Sequence, residues 1–139
     1  MIRPATKAIE TAFKAHEVKF NIHEIEDLSA VETGFSFETF SYKIIFMSQS
    51  DDTDVHVASE LLRVPEEKRQ AILPVLNKIN SRVRYLSFNM DEDGDVHAQF
   101  DFPVSTPMDA LGEMAFEIFI RSANIFKEIY PQLMKVVWG

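Results

Sequence analysis

The chain has 139 residues, no cysteine, and 14 Lys and Arg against 22 Asp and Glu, for a formal net charge of -8. That length suits a single domain with its own core, expected here over residues 1–139. The missing cysteines exclude a disulfide-stapled fold, a thiolate metal site and a cysteine nucleophile, and the acidic balance opposes a phosphate backbone, so nucleic acid is not an expected partner.

The opening stretch, MIRPATKAIETAFKAHE, is charged and amphipathic, without the apolar segment of a secretory leader. No stretch approaches the roughly 20 apolar residues of a membrane span. A cytoplasmic protein without membrane association is expected. Pro4 suits a first helical turn, and Ile9, Ala12, Phe13 and His16 recur at helical spacing, which predicts a first helix over about 3–17. Its apolar stripe is narrow, so it is expected to cover the core rather than form it.

From Lys19 the period changes to two. Phe20 and Ile22, then Val31, Thr33, Phe35 and Phe37, then Phe40, Tyr42, Ile44 and Phe46, then Val55, Val57 and Leu61 mark four successive strands, a meander by the shortest connections. The segment from Glu26 to Ala30 and the run Ser50-Asp51-Asp52-Thr53-Asp54 break the alternation with turn chemistry. Lys43, Ile45 and Met47 lie on the second face of the third strand, which predicts a central strand covered on both sides. Pro65 with Glu66 and Glu67 starts a second helix, and Ile72, Leu76, Ile79 and Val83 mark its buried face. Pro74 inside it removes a hydrogen bond or kinks it.

The clearest pattern is a hairpin. Leu86, Phe88 and Met90 alternate with Ser87 and Asn89, Val96, Ala98, Phe100 and Phe102 alternate with His97, Gln99 and Asp101, and Asp93-Gly94 turns between them. Thr106-Pro107-Met108-Asp109 reads as a capped start for a last helix over about 107–134. That helix is apolar over a wide arc, which needs two surfaces to bury against. The expected fold is therefore α+β, with an antiparallel sheet of about five or six strands, flanking helices and the order α-β-β-β-β-α-β-β-α. Ile79, Phe88, Phe100 and Phe119 are expected among the most buried residues.

Candidate chemistry is sparse. Asn89, Asp91, Asp93, Gly94 and Val96 mimic an EF-hand loop, but its twelfth position is Phe100 where a bidentate glutamate is needed, so a hairpin turn is the better reading. Asn77 and Asn80, one turn apart, are read as hydrogen-bonding the backbone entering the hairpin. The cluster Lys78, Arg82 and Arg84 is read as cations complementing a helix C-terminus. His16, His23, His56 and His97 are scattered without ligand spacing and are read as surface residues. The acidic groups sit in or beside turns, the four glycines are too few for a phosphate-cradling loop, and no nucleophile has a recognisable setting. No catalytic residue, metal or cofactor is assigned.

Leu76-Asn77-Lys78-Ile79-Asn80 at a helix end, the strand Tyr85 to Met90, the turn Asp91 to Gly94 and the strand Val96 to Phe102, within this order of elements, resemble the bacterial YbjN-like proteins. These fall in a broader group sharing the fold of type III secretion chaperones. The resemblance implies a compact, often dimeric α+β protein without known catalytic residues, from a family loosely described as sensory-transduction regulators. Chaperones of that fold hold an extended segment of a partner.

The expectation is thus a non-enzymatic, chaperone-like or regulatory module that binds an extended or amphipathic segment of another protein, with a small-molecule-binding or catalytic domain as the alternative. Phe35, Phe37, Phe40 and Tyr42 are the expected partner-binding residues. A homodimer is expected through Phe116, Ile120 and Ala123 on the surplus arc of the last helix.

Overall fold

The computed structural model describes residues 2–38, 40–49, 53–104 and 107–139. Helix α1 (Pro4–Ala15) leads into strands β1 (Asn21–Ile25), β2 (Leu28–Ser36), β3 (Ser41–Ser48) and β4 (Asp54–Arg63). A 3-10 turn, Glu66–Lys68, precedes α2 (Arg69–Arg82), and β5 (Ser87–Met90), β6 (Asp95–Pro103) and α3 (Met108–Trp138) complete the chain. The expected order of elements holds, with six strands in one antiparallel sheet arranged β1-β2-β3-β4-β6-β5. The meander is extended by the hairpin, which joins β4 through β6. Ten-residue β4 finds its match in nine-residue β6, while β5 has only four residues and takes the edge.

Among the described residues, helices α1, α2 and α3 pack on one face of the sheet. Val31, Ile44, Phe46, Val55, Val57, Val96 and Phe102 point into that side, and Leu111, Ala115, Phe119, Phe126, Ile129 and Leu133 of α3 meet them. The first helix goes deeper than its narrow stripe predicts, because Ala5, Ile9 and Phe13 are fully enclosed. Phe13 reaches the rings of Phe46 and Phe119, each at a centroid distance of 5.6 Å. Close approach makes this possible: a Cβ on Gly112 of α3 would stand 2.4 Å from the Ala8 carbonyl oxygen of α1. The wide apolar arc of α3 is thereby met by the sheet on one side and by α1 and α2 at its flanks.

Several local expectations change. The β1–β2 turn is only Glu26 and Asp27, with Glu26 at φ 53°, so β2 begins at Leu28. Alternation breaks at Ser29 because it faces inward, where its hydroxyl meets that of Thr6 at 2.7 Å and accepts from the Arg3 amide. The α2 region starts as a 3-10 turn, and Pro74 stays within the α-helix, leaving the Gln70 carbonyl without its usual helical donor. The last helix continues past Pro131 to Trp138, anchored by buried Leu133 and Val137.

Phe100 is half-buried rather than central. The edge strand β5 ends its pairing at Ser87 opposite Gln99, and Tyr85 leaves the strand at φ 65°, so Phe100 has no strand beyond it. Ile79, Phe88 and Phe119 are buried as expected. Ile45 and Met47 face the side of the sheet without helices, where strand neighbours alone half-cover them. The run 50–52 and the cap at Thr106 lie outside the described residues.

Candidate functional site

The uncovered sheet face carries a cleft, and its cause lies in the strand pairing. Strands β3 and β4 pair only from Ile45 opposite Ala58 to Ser48 opposite Val55. Beyond that point Ser41–Ile44 pair with β2, and Ser59–Arg63 pair with β6 across a register shift between Glu60 and Leu62. Such a bulge bends its strand and raises the local twist. On the opposite wall Gly34 lets β2 approach closely, since a Cβ there would lie 2.5 Å from the Tyr42 carbonyl oxygen.

The resulting V holds about 790 Å³, with Gly34, Lys43, Ile45, Ala58, Glu60 and Leu62 among its walls. The Ser59 hydroxyl donates to the Lys43 carbonyl at 2.5 Å and bridges the two diverging strands. Its rim is charged: Lys43 lies 3.9 Å from Glu32, and Arg63 makes a bidentate pair with Asp95 at 2.9 and 3.0 Å.

Phe35, Phe37, Phe40 and Tyr42 are brought together at one end of this cleft. They form an aromatic layer over α3: Phe35 stacks on Phe119 at 3.9 Å, Phe40 on Tyr130 at 3.7 Å, Phe37 on Phe40 at 4.8 Å, and Tyr42 meets Phe126 edge-on at 4.4 Å. The three phenylalanines are half-buried and Tyr42 is buried. Burial drives the Tyr42 ionisation far above the ordinary phenol range, and among the described residues its hydroxyl has no hydrogen-bond partner. Phe35 and Tyr42 also line the cleft, whereas Phe37 and Phe40 do not.

The wall residues Ser59, Glu60, Leu62 and Arg63 escaped the sequence reading. Two signals pointed to them: a glycine inside a strand at Gly34, and the doubled Leu61-Leu62 where strict alternation allows one apolar residue.

The three residues expected at a dimer interface separate. Ala123 is buried, Phe116 is half-covered with His16 stacked on it at 3.7 Å, and Ile120 is 39% exposed. Helix α1 takes up much of the surplus arc.

The acidic hairpin turn is engaged through two of its three aspartates, Asp91 and Asp95. Asp91, Asp93 and Asp95 offer oxygens within 4.8 Å of one another, the spacing of a cation site. Asp91 nevertheless accepts from the Asp93 and Asp95 amides at 2.9 and 3.0 Å and pairs with His97 at 2.8 Å, while Asp95 is taken by Arg63. The turn closes with the Gly94 amide donating to the Asp91 carbonyl at 3.1 Å and Gly94 at φ 85°, a hairpin rather than an EF-hand loop. The His97 hydrogen bond and then the Asp95 amide hold the Asp91 carboxyl below the usual carboxylate range, and the Arg63 hydrogen bond does the same for Asp95. Asn80 behaves as expected: its amide donates to the Phe88 carbonyl at 2.8 Å and accepts from the Phe88 amide at 2.7 Å, closing the outer edge of β5.

All four imidazoles lie beside carboxylates: His16 by Glu113, His23 by Glu32, His56 by Asp101 and His97 by Asp91. Among the described residues none is hydrogen-bonded to a hydroxyl nucleophile.

The chain is thus a two-layer α+β protein with one face of its sheet covered by helices and the other open and split. Its family follows from comparison with known proteins. The model of the YbjN family, described as "Putative bacterial sensory transduction regulator", matches residues 6–128, and the chain belongs to this family. No curated protein matches the sequence. Among the described residues no helix is long and apolar enough to cross a membrane.

Proposed function

We propose that this protein is a non-catalytic, chaperone-like regulator that holds an extended segment of another protein without changing it chemically. The observation that carries the reading is the split between β3 and β4. Alternate main-chain groups of Ser41–Ile44 and Ser59–Arg63 face the gap without a strand opposite them. Apart from the Lys43 carbonyl, which the Ser59 hydroxyl occupies and an incoming strand would have to release, such groups pair readily with an added strand. Pairing gives affinity. Side chains that alternate inward would meet Phe35, Tyr42 and Leu62, and those that alternate outward would meet Ala58.

The outer edge of β5 is less available, since the Asn80 amide already occupies it. A net charge of -8 favours a segment with basic flanks, whose association slows as salt screens the attraction. The family description as a regulator supports this over an enzyme. The same reading places the protein in the cytoplasm, in keeping with a chain of no cysteines.

The test is co-purification from the native cell, identification of what stays bound, and binding of overlapping fragments of that partner to the purified protein. Ala58→Arg, which fills the cleft from its wall, should weaken fragment binding by at least about tenfold while leaving folding stability within about 0.5 kcal/mol. Binding only to folded domains, or equal binding to the variant, would overturn the reading.

A homodimer through α3 belongs to the proposal as well, supported by exposed Ile120 and half-covered Phe116. Light scattering should then give twice the 16.0 kDa chain mass at micromolar concentration. A monomer would remove the dimer and leave the cleft reading intact.

A further inference from the structure

A second concavity lies on the helix side, where the end of α2, the turn into β5 and the middle of α3 meet. It holds about 460 Å³, within the range of small-molecule sites. Its charged lining is Arg82, Arg84 and Arg121 against Glu128 alone, a local positive excess in a chain of net charge -8. Val83, Ile125 and Ile129 supply an apolar floor.

A cation complementing the α2 C-terminus accounts for Arg82, which sits in the last turn. It does not account for Arg84, which lies beyond the helix, or for Arg121, which comes from another element. Among the described residues Arg84 has no ion-pair partner, and Arg82 has only a 3.4 Å contact to the Gln132 side chain.

The turn that presents these groups is strained. Tyr85 has φ 65° while the Leu86 amide donates to the Arg84 carbonyl at 2.8 Å, a three-residue turn whose positive-φ form is rare. Strain of this kind persists where the surroundings over-determine it, and it gathers at ligand sites. Here Tyr85 is held from two sides. Its ring meets Phe100 edge-on at 5.7 Å, and Arg121 lies over it at 5.2 Å while donating to its hydroxyl. Glu117 in turn braces Arg121 at 2.9 Å. The result is a preset guanidinium, a half-exposed aromatic face and two unneutralised arginines around an apolar floor.

We propose that this pocket binds a small organic anion, with an aromatic or apolar body against Val83, Ile125 and the Tyr85 ring and a carboxylate or phosphate head between Arg82, Arg84 and Arg121. Planar guanidinium groups match such heads bidentately. The pocket is separate from the β3–β4 cleft, so the proposal stands or falls independently of the segment-binding reading.

The experiment is an amide-resolved NMR titration of the full chain with phenyl phosphate, benzoate and inorganic phosphate. Saturable shifts confined to 82–86 and 121–129 are expected, with phenyl phosphate or benzoate binding at least roughly tenfold more tightly than inorganic phosphate. Which of the two aromatic anions binds better identifies the preferred head group.

Arg84→Gln should weaken that binding by about tenfold or more with the remaining amide spectrum unchanged, Arg84→Lys should fall between it and the parent, and Lys14→Gln on α1 should bind as the parent does. Absence of saturation below about 10 mM, shifts scattered over other basic residues, equal affinity for inorganic phosphate, or unchanged binding by Arg84→Gln would each overturn the proposal.

Discussion

On the helix side of the sheet, Val31, Ile44, Phe46, Val55 and Val57 are wholly enclosed in one cluster with the apolar side chains of the helical layer. Strands β2, β3, β4 and β6 present Glu32, Lys43, His56, Ala58, Glu60 and His97 to the other side, where no helix lies among the described residues. Packing holds the first face. The second is knit by cross-strand pairs such as His56 opposite Asp101, contacts that contribute little to stability when exposed. The contrast teaches that stability is concentrated in one layer, which leaves the other free to open. A sheet can forgo pairing between Ser41–Ile44 and Ser59–Arg63 because Phe35 and Tyr42 beneath the gap are already locked onto Phe119 and Phe126 of α3.

The largest effect should come from the enclosed face. Phe13→Ala removes a ring at 0% exposure that touches Phe20, Phe46, Phe116 and Phe119, and urea unfolding should show a loss of about 3–5 kcal/mol. A loss below about 1 kcal/mol would mean that α1 is not part of the core. Gly112→Ala tests the seam between α1 and α3: its Cβ meets the Ala8 carbonyl oxygen at 2.4 Å, so the crowding should cost about 1–3 kcal/mol despite alanine's better helix propensity. A variant as stable as the parent would show that the two helices can separate freely.

Asn80→Ala sharpens the comparison at the sheet edge. It strips the Phe88 amide and carbonyl of their partner and should cost about 1–2 kcal/mol, with faster hydrogen exchange at the Phe88 amide. Unchanged exchange there would show that the edge is closed by something else.

The open face predicts a pH response. Asp91 and Asp95 have folded-state affinities for protons below those of the unfolded chain, held so chiefly by His97 and Arg63 respectively. Their contribution is therefore present above the unfolded carboxylate value, about 3.9, and is lost as pH falls through the lower folded values. Urea midpoints measured downward from pH 6 should drop in that acid range, and Asp91→Asn should flatten the drop. An Asp91→Asn profile parallel to the parent's would refute the assignment.

The smallest effect is expected at Lys43→Glu. The side chain is 76% exposed, so stability should move by no more than about 0.5 kcal/mol, whereas the salt dependence of segment binding should change. A large loss of stability would show that the open face supports the fold after all.

The hairpin and the meander were legible because burial on one face imposes strict alternation, and Asp91 to Gly94 carries its own turn chemistry. Asn80 was legible for the same local reason, lying within hydrogen-bonding reach of the strand that follows it. Phe100 was not. Its alternation is as good as that of Phe88, but its exposure depends on β5 ending opposite Gln99, a fact about a neighbouring strand.

The aromatic residues Phe35, Phe37, Phe40 and Tyr42 were recognised as a group, yet the pattern contained nothing to say that α3 would meet them. The rings of Phe35, Tyr42 and Phe40 lie against Phe119, Phe126 and Tyr130, far along the chain.

By itself the sequence determined the class of fold, the order of its elements and the family, since these rest on periodicity, turn residues and local motifs, all written in neighbouring positions. Only the tertiary structure decided that β6 rather than β5 joins β4, that the sheet splits beside Ala58, and that Arg121 comes to stand with Arg82 and Arg84. Those outcomes turn on strand lengths, a bulge and helix approach distances between segments distant in sequence. Their energies are sums over packed neighbours, which no single stretch of the chain contains.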